Sequence, residues 1–247
     1  MPSVPYTIRR SDRARRARIQ VSASGVEVVV PRRLPLREVE PFVESRQSWI
    51  ERTLLRMREA EAARPRPRLE DGGEVPYLGE RLRLRVRAEP GRRRPHVALG
   101  KAELRTAVGE PASGAVQGRA LHVAVAAGDA ESVRQALERW YRTRARVEVA
   151  VRLDAAVARA GTSYSRLQIR GQRTRWASCS SNGAMSFNWR LLLAPPEILD
   201  YVVEHEVAHL DVHDHSERFW ALLASRCPAY RVHEAWLRAN GHTLRLA

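Results

Sequence analysis

The chain has 247 residues, 44% hydrophobic and 29% charged, and a formal net charge of +15. That length and balance describe a soluble globular protein with a sizeable core, in one large domain or two small ones. Apolar runs such as Val28–Val30 and Leu191–Ala194 are far too short to cross a bilayer, and MPSVPYTIRRSDRARR lacks the apolar core of a signal peptide; the expectation is a cytoplasmic protein without a membrane partner.

Taken in order, the chain opens with three short strands at Tyr6–Arg10, Ala17–Val21 and Val26–Val30, with a turn at Ser24-Gly25 between the last two. A helix is expected over about 37–63. Val39, Phe42, Val43, Trp49, Ile50, Leu54 and Met57 form its buried face, and Pro41 is tolerated in its first turn. The RPRPR run at 64–68 ends it as a linker. A second β region follows, with a strand at 75–78 and another at 81–87, where Leu82, Leu84 and Val86 alternate with arginines as in a half-buried strand. Residues 89–128 are rich in Gly, Pro and Ala and carry weaker strand signals at 96–99 and 121–126.

A long helix is expected over about 130–160, capped by Asp129 and closed by Gly161, with Val133, Leu137, Trp140, Val147, Val151 and Val157 as its buried stripe. A short strand near 166–170, a polar loop at 171–183 and a strand at 184–189 lead to Pro196. Cys179 and Cys227 are the only cysteines, and neither has a C-x-x-C partner, so neither a disulfide framework nor a cysteine zinc site is expected.

The chemistry concentrates in PEILDYVVEHEVAHLDVHDHSERFW, residues 196–220. On a helix His205 and His209 lie one turn apart on one face, where two imidazoles can bind the same tetrahedral ion. Glu206, beside the first, can reach a metal-bound water without being a ligand. The polar stretch 211–216 fits a helix stop that returns His215 as third donor, and Ser216 can cap the next helix, which contains Phe219 and Trp220. His213 competes with His215 if the helix continues, and Glu217 or Glu234 are more distant carboxylate options. Asp200, Glu204 and Asp211 can partner the outer imidazole nitrogens. Tyr230, His233 and Arg175 are candidate donors to a developing oxyanion. Ser186–Arg190 reads as an edge strand that could pair with an extended peptide.

RWASCSSNGAMSFNWRLLLAPPEILDYVVEHEVAHLDVHDHSERFW resembles the YgjP-like metallopeptidases, minimal zinc peptidases related to SprT-like and WLM proteins. YTIRRSDRARRARIQV, PFVESRQSWIERTL and VPYLGERLRLRV extend the likeness into the N-terminal half. Ala177, Glu204 and the Val212-His213 pair depart from the usual pattern without removing a ligand. The resemblance implies an α+β protein: a β-rich N-terminal region, 1–128, with one long helix, then a zincin-like, mainly helical metallopeptidase domain, 129–247. It implies zinc (Zn2+) on His205, His209 and His215, Glu206 as the catalytic residue, and a peptide or protein substrate. The alternative is a basic nucleic-acid-binding protein with a structural or silent zinc centre. The charge supports non-specific nucleic-acid contact through the basic surface. Against a dedicated site, Lys101 is the only lysine and the arginines are dispersed, as composition bias on solvated positions would leave them.

Overall fold

The computed structural model describes residues 4–12, 14–22, 25–62, 67–101, 118–172 and 175–246. Ser24, residues 64–66 of the expected linker and residues 102–117 of the poorly legible 89–128 stretch lie outside these. The described residues form a mixed α+β structure with three small sheets and six α-helices. By contacts the chain divides into two compact units, Met1–Pro65 and Arg66–Ala247. No described helix is long and apolar enough to cross a membrane.

In the first unit β1 (Tyr6–Ser11), β2 (Arg18–Ser22) and β3 (Gly25–Pro31) form a sheet with β3 at its centre, parallel to β1 and antiparallel to β2. The helix expected over 37–63 is broken into a 3-10 turn (Leu36–Glu38), α1 (Val39–Glu44) and α2 (Gln47–Ala62). Val26, Val28, Val30, Val39, Val43 and Ile50 make the core, while Trp49, expected on the buried face, is 42% exposed. The interruption at Ser45-Arg46 resets the helical phase, so a single 3.6-residue period cannot describe both segments.

The second unit contains β4 (Glu74–Tyr77), β5 (Glu80–Ala88), β6 (His96–Lys101) and β7 (Arg119–Val125), ordered β4-β5-β7-β6 with β5 and β7 parallel. One face of this sheet packs on α3 (Ala130–Ala160): Leu82, Leu84, Leu121, Val123 and Val125 share a buried cluster with Leu137, Tyr141, Val149 and Leu153. The strands β4, β5 and β7, expected with the N-terminal region, are therefore continuous in their core with the C-terminal helices. The caps of α3 are as expected, with Asp129 accepting from the Ser132 amide at 2.9 Å and Gly161 left-handed at φ 65°. Its stripe is right in part. Val133, Leu137 and Val157 are buried as expected and Trp140 packs against the core, but Val147 and Val151 are exposed, and Tyr141, Ala145, Val149, Leu153 and Ala156 fill the core face between them. In the middle of the helix β-branched residues draw the expected stripe onto the wrong side, past alanines that allow close packing.

A third sheet comprises β8 (Arg166–Arg170), β9 (Ala177–Cys179) and β10 (Ala184–Asn188) in the order β8-β10-β9. β9 arises in the expected polar loop, from Ser178–Ser186 and Cys179–Met185 pairing. β10 is central, parallel to β8 and antiparallel to β9, so residues 186–190 offer no free edge; β8 and β9 hold the edges. A 3-10 turn (Trp189–Leu193) then leads into α4 (Pro196–Asp211). The tight β4–β5 turn fits against this entry: the Leu78 amide donates to the Leu192 carbonyl at 2.8 Å, and a Cβ on Gly79 (φ 85°) would stand 3.2 Å from Pro196 Cδ. α5 (Glu217–Arg226) and α6 (Tyr230–Asn240) complete the unit and both pack on α4.

Candidate metal centre

α4 starts with proline at its first helical position, where no amide donor is required. Ile198, Leu199, Val202, Val203 and Val207 bury its core face. Two ion pairs tie the helix to α3: Arg152 Nε–Asp200 Oδ1 at 2.8 Å and Arg159 Nη2–Glu204 Oε1 at 2.5 Å. Asp211 pairs with Arg226 of α5 at 2.7 Å. The three carboxylates expected as imidazole partners are thus engaged by arginines. They place the helix rather than orient the histidines.

The helix ends at Asp211, with Val212 in an extended conformation (φ −136°, ψ 105°). This stop separates the two later histidines: His213 is exposed outside the cluster, whereas His215 returns to His205 and His209. Among the described residues these three imidazoles are the group able to hold a metal ion, each offering a nitrogen within 4.8 Å of the others. The fit is chemical as well as spatial. His205 Nε2 and His215 Nε2 stand 3.2 Å apart; two nitrogens sharing one tetrahedral zinc at about 2.0–2.1 Å are separated by roughly 3.3–3.4 Å. Burial pushes His205 down to about 4, reinforced by its two imidazole neighbours, and burial also lowers His209. Neutral imidazoles are the form that binds metal. His209 Nδ1 faces the Val212 carbonyl at 3.1 Å, so donation there turns Nε2 towards the cluster. His205 Nδ1 is buried with no hydrogen-bond partner among the described residues.

Phe219 is fully buried and forms the floor of the centre: its ring stacks on His209 at 4.5 Å and 26° and meets His205 and His215 at 5.0 and 4.8 Å. The one signal for this role in the sequence is its place four residues after His215, just inside the next helix. Ser216 occupies the cap position of α5, but its side chain does not cap the helix; Asp214 accepts from the Ser216 amide at 3.1 Å.

Glu206 is 6% exposed and lies beside β9. Burial pushes its carboxyl up to about 7, while the Cys179 backbone amide and the Arg175 charge pull it down. Burial and the neighbouring Glu206 charge push the Cys179 thiol up to about 11, leaving it protonated and inert at neutral pH. Of the oxyanion-donor candidates, Tyr230 stacks on Trp220 at 5.5 Å and accepts from Arg231 Nε at 3.1 Å, and the His233 ring lies 6.2 Å from that of Tyr201. Arg175 is exposed. The carboxylate alternatives lie outside the imidazole cluster, and Glu234 pairs with Arg238 at 2.8 Å. Trp220, 5.6 Å from His215, also walls a cavity of about 690 Å³ between α5 and α6, shared with Tyr230, Glu217 and Glu234.

A family model described as YgjP-like, metallopeptidase domain, matches residues 15–240. Two solved structures are similar over part of the chain. The metallopeptidase zymogen of Pyrococcus abyssi abylysin is 26% identical, with a TM-score of 0.34 over 39% of this chain and 96% of the other. The metallopeptidase zymogen of Methanocaldococcus jannaschii jannalysin is 16% identical, with a TM-score of 0.31 over 35% of this chain and 93% of the other. No curated protein matches the chain.

Proposed function

Because the chain belongs to the YgjP-like metallopeptidase family, we propose that it is a zinc-dependent peptidase in which His205, His209 and His215 hold the ion and Glu206 is the general base, on a zincin-like arrangement of α3, α4 and the β8–β10 sheet. The observation that carries this reading is the convergence of three imidazoles beside a buried carboxylate. A bound divalent ion supplies Lewis acidity to a water and to the substrate carbonyl.

The protein's own groups do the remaining work. Glu206 takes a proton from the attacking water and returns it to the leaving amine, and its raised affinity for protons suits both transfers near neutral pH. Phe219 keeps the inner side of the histidines dry and fixes their ring planes. The edge strand β9, beside Glu206, is the side of the sheet on which an extended peptide would add as a further strand. The cavity walled by Trp220 then accepts a substrate side chain.

A silent structural centre is the weaker reading, since a structural zinc site ordinarily uses four protein ligands and no general base. The test combines elemental analysis with peptide-library cleavage. Wild type should carry one zinc per chain and cleave; Glu206→Gln should keep the zinc and lose cleavage. Equal cleavage by wild type and Glu206→Gln overturns the mechanism, and purified folded protein that binds no metal overturns the centre.

A further inference from the structure

The strand register of the four-stranded sheet assembles a surface that the peptidase reading does not use. Opposite the face packed on α3, β5 presents Arg81, Arg83, Arg85 and Arg87 in one row, because Leu82, Leu84 and Val86 point the other way. Arg81, Arg83 and Arg87 are exposed and Arg85 is half-buried. Alternate residues of a strand lie roughly 6.7 Å apart, so the row extends over about 20 Å.

The register supplies a floor beside this row. Arg83 lies opposite Ala120, itself opposite Gly100; Arg85 opposite His122 and Ala98; Arg87 opposite Ala124 and His96. Among the described residues these positions other than the histidines are Ala or Gly; Ala120 is fully buried, while Ala98, Gly100 and Ala124 are partly exposed. The His122 ring lies over Gly100, where an added Cβ would stand 3.1 Å from it. Both histidines are exposed. Of the nearby acidic groups, Asp71 accepts from the Val86 amide, Glu80 pairs with Arg119 and Glu89 with Arg92. Among the described residues, Glu74, opposite Arg83, is a carboxylate on the arginine face.

We infer that this face binds single-stranded nucleic acid, Arg81, Arg83 and Arg87 following the phosphates and the bases lying over Ala98 and Ala124 towards His122 and His96. A straight cationic row suits an extended backbone, whereas the phosphates of a duplex curve away from a line. A flat floor with imidazole and guanidinium planes takes unpaired bases, which have faces free to stack. The assignment is independent of the metal centre.

The test uses the full-length protein and a fluorescent 20-nucleotide single strand, with affinity measured by anisotropy across a salt series. The variant Arg81→Thr/Arg83→Thr/Arg87→Thr is compared with Arg139→Gln/Arg166→Gln/Arg170→Gln, which removes the same charge elsewhere in this unit. Circular dichroism and a thermal melt establish folding in both. Removing three phosphate-binding arginines should flatten the log–log salt slope by about 2 and weaken binding in 50 mM salt on the order of a hundredfold; the control should change neither by much. Ala98→Glu, which places a carboxylate on the floor while keeping every arginine, should also weaken binding. Equal weakening in both triple variants would show diffuse charge attraction and overturn the site. So would no effect of Ala98→Glu, or tighter binding to a duplex of the same length or to anionic phospholipid vesicles.

Discussion

The imidazole cluster and the arginine face belong to one unit, and they are specified in opposite ways. The cluster draws its three nitrogens from eleven consecutive residues, 205–215, and depends on a helix stopping at one place and a ring packing beneath it. The arginine face draws on three strands between residues 81 and 124, and depends on which side of a pleat each residue occupies. Chemistry that requires fixed distances leaves a local motif. A surface that requires charge and flatness leaves only an alternation, with no meaning until the strands are paired.

The predictions sharpen that contrast, the largest effects falling on the cluster. Glu206→Gln should lower kcat by roughly 10²–10⁴ while zinc content stays at the wild-type level, measured by steady-state cleavage and elemental analysis. His209→Ala should abolish stoichiometric zinc, because it removes both a donor and the Val212-oriented ring; retention of one zinc after dialysis would count against the three-imidazole assignment. Phe219→Ala should cost about 3–5 kcal/mol in denaturant unfolding, as a cavity beneath all three histidines. The Arg159–Glu204 link should matter less. Arg159→Ala leaves a Glu204 carboxylate that is 8% exposed without its cation, and should cost about 1–3 kcal/mol, whereas Arg159→Ala/Glu204→Leu should recover part of that loss. Smallest of all, Arg81→Thr should shift stability by no more than about 0.5 kcal/mol and leave peptidase kcat unchanged.

The same contrast explains what is legible in the sequence. The α3 caps, the β5 alternation and the extent of α4 follow from local rules: a side chain reaching its own backbone, a two-residue period, a proline at a helix start. The errors arise where a distant partner decides. β9 forms because β10 pairs with it, and three residues of RWASCSS carry too little pattern to show this alone. β10 reads as an edge because period two marks a strand without counting its neighbours. The expected α3 stripe runs through Val147 and Val151, although packing against the sheet and α4 favours Ala145 and Ala156. In the site, the histidines and Glu206 are legible by type and spacing. The Val212 carbonyl beneath His209 and the Phe219 floor are not, because a backbone oxygen has no sequence signature and a buried phenylalanine is ordinarily just core.

Phe219 belongs to α5, two residues after that helix begins, and His215 lies just before it. On the proposed three-imidazole coordination, ion binding by His215 and docking of α5 are one equilibrium viewed from two ends. An ion that binds the folded form stabilises it in proportion to the logarithm of its free concentration, and here that stabilisation falls first on α5. Stripping the metal should accelerate amide hydrogen exchange in 215–226 well before the sheet beneath α3 responds, so the centre would act as the latch of its own lower wall.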